Sequence, residues 1–401
     1  MRGHSPTPAI LAGALVLVVY AADATAQTTY HVRTDGLFGA RPGMALVTLQ
    51  TDAAPHPWLS AEAMVWTGLE GDLSNDLEAD ALVMVVRARD PEGRGEMKLG
   101  RFVLGLGALR PIHIDGAYGR VNLPLKLSLE AYAGSPVIPR WWSDDRSYDW
   151  AAGTRVSRRL GDWGSVGLAY AHRRDYGELA DEEIGLDAGG ALSDHVDLNG
   201  KVSWDLITPG ISEAHAAAVY RDTGWRAELF GWQRSASRIL PATSLFAALG
   251  DETSRRVGLS GEWRVAPRLD LGTTTATQIV GDDFREALAL SARLRLDPLG
   301  ESLVGLEARR EGSEEGGWTG ARTMARLALT EAVTLAGDVE VALADEPGDR
   351  GAVWPWGTVA LGWDFRPGGE LAGTVQASGS PEYQRRLVGL VRLTHRLGSE
   401  P

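Results

Sequence analysis

The chain of 401 residues has no cysteine, so no disulfide can brace it in an oxidising compartment, and zinc or redox sites of the CxxC kind are excluded. Beyond its first segment it also lacks any apolar run approaching the ~20 residues of a spanning helix. A chain of this kind enters a membrane only as a closed barrel, because only helices and barrels satisfy every backbone group in lipid. Positive charge is in deficit: a formal net charge of -13 argues against a nucleic-acid partner. Phenylalanine is scarce, at 6 against 14 tryptophans and 49 glycines, a balance unusual for an ordinary enzyme.

Catalytic signatures are missing as well. There is no H-E-x-x-H, no G-x-S-x-G and no phosphate loop, and the acidic stretches contain no D-x-D-x-D-G calcium loop. The eight histidines are scattered without ligand spacing. His172, His195 and His215 are the ones a rim hydrolase could recruit, but His195 falls in a short turn and His172 at the opposite end of a strand. The expectation is therefore no enzyme, no metal site and no cofactor.

What is present begins with a leader. Arg2 and His4 precede an apolar run from Ala9 to Tyr20, and Ala24-Thr25-Ala26 forms an A-x-A cleavage site. Residues 1–26 read as a signal peptide, cleaved after Ala26, and residues 27–401 as one exported domain.

The stretch Val196 to Leu206, VDLNGKVSWDL, is the template for that domain. Val196, Leu198, Gly200, Val202, Trp204 and Leu206 alternate with Asp197, Asn199, Lys201, Ser203 and Asp205. Successive side chains of a strand point to opposite faces, so one face is apolar and the other wholly polar. About 22 segments of this kind, each roughly 8 to 12 residues, the length expected of tilted membrane strands, follow one another from Gln27, the fifth spanning Glu96 to Leu106.

Connections from even to odd segments are short and built from turn residues, such as Asp90-Pro91-Glu92-Gly93 and Asp297-Pro298-Leu299-Gly300. Those from odd to even are mostly longer and acidic, such as 70–78, 135–148 and 174–183. This asymmetry predicts an all-β fold: a transmembrane antiparallel up-and-down barrel of about 22 strands, within a range of 18–22. A β-propeller would show a fixed four-strand repeat, and none is found. Trp150, Trp204, Trp225, Trp263 and Trp363 fall on apolar faces near strand ends, where interfacial girdles sit.

Three passages, LGRFVLGLGALRP from Leu99, HIDGAYGRV from His113 and LEAYAGSPV from Leu129, together resemble Gram-negative porins of the alginate-export and carbohydrate-porin type. The resemblance implies a passive outer-membrane channel, in the alginate case one lined with cations for an anionic polymer.

The polar faces of the second half are rich in arginine: Arg226, Arg234, Arg256, Arg264, Arg285, Arg293, Arg295, Arg309, Arg322, Arg326, Arg386, Arg392 and Arg396. Rings of fixed charge select ions, so this wall would favour anionic solutes. The competing reading pairs them with Glu228, Glu262, Glu307, Asp338, Glu340 and Asp364 across strands. Between Gln233 and Ser254, Leu240, Leu245 and Phe246 are too apolar for an exposed tip, which makes this loop a candidate constriction or a rim packing element. A 22-stranded lumen otherwise left open would leak.

The expected function is a porin-like channel in the outer membrane for hydrophilic solutes, with an anionic lean. The alternative is a non-conducting structural or surface-attachment barrel. Expected partners are outer-membrane lipid and a hydrophilic solute, with no nucleic acid, and a homo-oligomer is left open.

Overall fold

The computed structural model describes residues 27–38, 44–70, 77–137, 149–235, 253–314, 316–348, 351–379 and 386–398. Residues 1–26, read from sequence as a signal peptide, and the apolar stretch with Leu240, Leu245 and Phe246 lie outside them.

The strands are β1 Gln27–Phe38, β2 Met44–His56, β3 Leu59–Glu70, β4 Leu77–Arg89, β5 Gly95–Leu104, β6 Ile112–Leu123 and β7 Leu127–Pro136. They continue as β8 Trp150–Leu160, β9 Gly164–Asp175, β10 Glu178–Ser193, β11 Val196–Asp205, β12 Gly210–Arg221, β13 Trp225–Arg234 and β14 Ser254–Ala266. The remainder are β15 Leu269–Val280, β16 Asp283–Arg295, β17 Leu303–Ser313, β18 Gly316–Thr330, β19 Val333–Gly348, β20 Gly351–Arg366, β21 Gly369–Ser378 and β22 Arg386–Gly398. Each pairs antiparallel with the next, and β1 pairs with β22 from Thr29↔Gly398 to Phe38↔Gly389. The 22-stranded sheet therefore closes on itself as a barrel.

The alternation that identifies the strands also sets their faces. In β11, Leu198 and Trp204 are exposed on the outside, while Ser203 and Asp205 are buried on the inside. Register carries this assignment from strand to strand, since Asp205 lies opposite Glu183 of β10 and Lys201 opposite His215 of β12. Trp150, Trp204, Trp225, Trp263 and Trp363 are all exposed on the outer face, and Trp225 stacks on Trp263 with ring centroids 5.1 Å apart.

Short turns close one end. In the β4–β5 turn, Asp90 accepts hydrogen bonds from the backbone N–H and the guanidinium of Arg94 at 3.0 and 2.8 Å. Gly93 sits there at φ +72, where a side chain would strain the backbone. In the β16–β17 turn, Asp297 accepts from the N–H groups of Glu301 and Ser302. The arginine bond of Asp90 and the Ser302 bond of Asp297 hold these carboxyls below the usual carboxylate range.

Two expectations shift. The long acidic connection expected at 174–183 is only Tyr176-Gly177, with β9 running to Asp175 and β10 starting at Glu178. Alternation through Phe102, Leu104 and Leu106 extends the fifth segment to Leu106, but β5 ends at Leu104. Residues 105–111 leave the wall and turn inward, and the reason lies in the packing described next.

Candidate functional site: a lumen filled on one side

The barrel has a hydrophobic core, and it is on one side of the lumen. Phe102 and Leu104 of β5, Leu106 and Leu109 of the connection, and Ile114 of β6 pack onto the inner face of β6–β9 at Tyr118, Tyr132, Ala151 and Ala169. Ile114 is 0% exposed and Leu106 2%. Leu106, read by alternation as the end of a strand, is instead an anchor of an inward-folded hairpin. Glycines on both sides permit the close approach: a Cβ on Gly185 of the wall would press on Ala108 and Leu109, and one on Gly107 of the hairpin would overlap the Asp187 carboxylate.

Charges lock the hairpin and its bed. Arg110 donates to Asp181 at 2.9 Å and to Glu183 at 3.0 Å. Arg155 bridges Glu130 at 2.7 Å and Asp187 at 2.6 Å, and the Tyr118 hydroxyl donates to Glu130 at 2.8 Å. Glu96 is ringed by Arg87, Lys98 and Arg120. Each of these cations has a carboxylate within reach, which the well-covered Arg110 and Arg155 require.

The opposite wall, β13–β22, carries the arginines singled out by sequence. Register places Arg226, Arg234, Arg256, Arg264, Arg285, Arg293, Arg295, Arg309, Arg322, Arg326, Arg386 and Arg392 on the polar inner face. Many are paired. Arg226 meets Glu228 at 2.7 Å, Arg285 meets Asp283 at 2.6 Å, and Arg264 and Arg295 share Asp270. Arg309 holds Glu307 and Glu340, and Arg322 holds Asp338. Arg392 reaches across the closing strand pair to Asp35 at 2.7 Å, which Arg33 also holds.

Of the partners expected from sequence, Glu228, Glu307, Asp338 and Glu340 therefore serve. Asp270, Asp283 and Asp35 are additional. Arg234 lies over the Trp232 ring, 6.0 Å from its centroid. Arg256, Arg293 and Arg326 make no ion pair with another described residue, and the Nε of Arg256 is a buried donor without a partner.

Two cavities open along this wall. One, of about 460 Å³, lies near the end where β13 meets β14 and is lined by Arg256, Gln278, Arg285, Glu311, Trp318 and Trp354. The other, of about 260 Å³, lies at the short-turn end and includes Arg226, Arg264, Arg293, Arg295, Asp270 and Glu307. Gly258 and Ala276 keep the wall beside the first cavity flat, since a Cβ on Gly258 would meet the Phe230 ring.

His172 lies near Glu182 on the outer face and stacks on Trp150, whereas His195 bonds the Arg221 carbonyl in a turn, so the two do not converge. Among the described residues no group of three or more His, Asp or Glu is arranged to hold a metal ion.

An antiparallel barrel closed on itself, apolar outside and charged inside, is the architecture of outer-membrane barrel proteins. Among solved structures the chain is similar to the P pilus usher (PapC) translocation pore, with a TM-score of 0.52 at 10% identity, over 94% of this chain and 100% of that one. It is likewise similar to an E. coli P pilus tip assembly intermediate, PapC-PapD-PapK-PapG, with a TM-score of 0.52 at 10% identity over 92% of this chain and 60% of that one. Pseudomonas aeruginosa OccK3 (OpdO) gives a TM-score of 0.45 at 10% identity, over 94% and 96% of the two chains. No family profile matches the chain, and no curated protein matches it. At such identities the shared property is the barrel.

Proposed function

We propose that this protein is an exported, passive channel of the outer membrane that favours small hydrophilic anions. The observation carrying this reading is the inner face of β13–β18. Arg256, Arg293 and Arg326 have no carboxylate partner among the described residues there, while most arginines around them are neutralised in pairs. Unpaired guanidinium groups beside a water-filled path attract anions and repel cations. Two of them border cavities at opposite ends of the wall, Arg256 in the larger and Arg293 in the smaller. A solute would then meet a cationic station on entering and another on leaving.

The porin-like passages of residues 99–137 support the same reading, and they contribute the inward hairpin that narrows the lumen. The leader ending at Ala26 supports export. Single-channel conductance of the refolded protein in a planar bilayer, with reversal potential in a salt gradient, tests the proposal. Steady conductance with anion preference is expected, and cation preference would discard the arginine wall. No conductance from a folded barrel would leave the second reading, a non-conducting structural barrel, which the packed side of the lumen favours.

A further inference from the structure

Strands β4 and β5 separate halfway along the wall. They are paired from Arg89↔Glu96 to Met84↔Arg101. Beyond that, β4 continues on its β3 side as far as Leu69↔Leu77, and β5 on its β6 side as far as Leu104↔Ile112. The departure is built at Gly100, φ +123, where a Cβ would run into the Met84 carbonyl. Above Met84, therefore, β4 has no partner strand on its β5 side although β5 itself continues to Leu104.

Unsatisfied backbone groups cost several kcal/mol each in hydrocarbon, so such an edge needs substitutes for its lost partner strand. Side chains supply them. The Ala81 N–H donates to Asp80 Oδ1 at 2.8 Å, and the Ala81 carbonyl accepts from Arg101 Nη1 at 2.8 Å. The same Nη1 donates to Asp80 at 2.8 Å, while Nε and Nη2 hold Asp115 of β6 at 2.7 and 2.8 Å. Arg101 thus spans the seam as a side-chain rivet in place of a hydrogen-bond ladder.

Immediately inside lies a cavity of about 520 Å³. Val83, Val85, Phe102 and Val103 line it at the level of the seam, with Glu62 and Asp52 on the facing β3 and β2 opposite Val85, and Arg87 and Lys98 line it nearer the short turns. Apolar lining beside a gap to lipid, grading into charge, matches the division of an amphiphile. Strands normally lie about 4.8 Å apart, so one missing pairing opens a slot about as wide as a single polymethylene chain and too narrow for two.

We propose that the β4–β5 seam is a lateral entrance through which a single-chain anionic amphiphile passes between the outer leaflet and the lumen. Its chain lies against Val85 and Phe102, its head is turned toward Arg87 and Lys98, and Arg101 is the latch. The proposal does not depend on the anion channel.

The test is photolabelling of the folded protein in lipid vesicles with a diazirine-bearing stearate, followed by mapping of adducts. Expected are adducts on Val83, Val85 and Phe102 that saturate with dose and are displaced by unlabelled stearate. Arg101→Met should raise them and Val85→Phe should lower them, each severalfold, with folding of each variant checked by heat-modifiable gel migration. Val86 and Leu99, exposed on the outer face at the same level, report simple contact with lipid. Adducts confined to those two, rising without saturation, would overturn the proposal, as would inward adducts indifferent to Val85→Phe. The wild-type map decides the first point even if neither variant folds.

Discussion

The two sides of this barrel solve the same problem differently. Both must keep charged side chains on an inner face, but the β6–β10 side buries its charges under an apolar hairpin, while the β13–β22 side leaves them beside open space. Where solvent is excluded, Arg110 and Arg155 are each held by two carboxylates, Asp181 with Glu183 and Glu130 with Asp187. Where solvent remains, single pairs such as Arg226 and Glu228 are enough, and Arg256, Arg293 and Arg326 have no carboxylate partner among the described residues. The lesson is that one composition of polar face yields a structural core or a solute path according to what covers it.

The largest effect should come from the hairpin. Leu106→Ala or Ile114→Ala removes a fully buried side chain and should cost about 2–5 kcal/mol, read as a lower midpoint of denaturant unfolding. Replacing residues 105–111 by a short glycine-serine turn should also widen the path, and unchanged conductance would show that the hairpin does not limit flow.

Next in size is a paired comparison of arginines. Arg155→Ala strands two poorly hydrated carboxylates and should cost about 3–5 kcal/mol, whereas Arg226→Ala, in a half-exposed pair, should cost about 1 kcal/mol or less. Equal losses would erase the distinction between the two sides. Joint substitution of Arg256, Arg293 and Arg326 by alanine should leave the unfolding midpoint almost unmoved and shift the reversal potential toward cations.

The smallest effect concerns the turns, which belong to neither side. Backbone donors, Ser302 first, lower the Asp297 pKa in the folded chain from its ordinary 3.8. The stability it contributes is therefore fully present above that value and is lost as pH falls through the lower folded value. Unfolding midpoints of the wild type and Asp297→Ala should differ at neutral pH and converge in acid, and a constant gap would remove the carboxylate as the cause.

Much of the wall was legible because its physics is periodic. In Val196–Leu206 every second residue meets lipid, so alternation alone gives the face, and turn residues such as Asp297-Pro298 give the ends. The same logic misread Leu106, whose parity continues that of Phe102 and Leu104 although its environment is no longer a wall. Nothing periodic distinguishes an apolar residue facing lipid from one facing a core that arrives from elsewhere in the chain.

The charges divided similarly. Partners two residues apart on one strand, Arg226 with Glu228 and Arg309 with Glu307, lie on the same face and can be read from spacing. Asp270 serving both Arg264 and Arg295, or Arg101 leaving the alternation to span a seam, depends on register and on a strand that departs, and neither is written locally.

The junction of β1 with β22 carries a consequence for the making of the protein. Asp35 is held by Arg33 from its own strand and by Arg392, 357 positions later. Until the last strand is synthesised and in place, that carboxylate has half its cation shell, and β1 has an open ladder on one side. Closure is the most non-local event in the chain, and non-local pairing is slow. A nascent barrel would therefore wait longest with these two strands apart, and they are the natural place for assembly machinery to hold it.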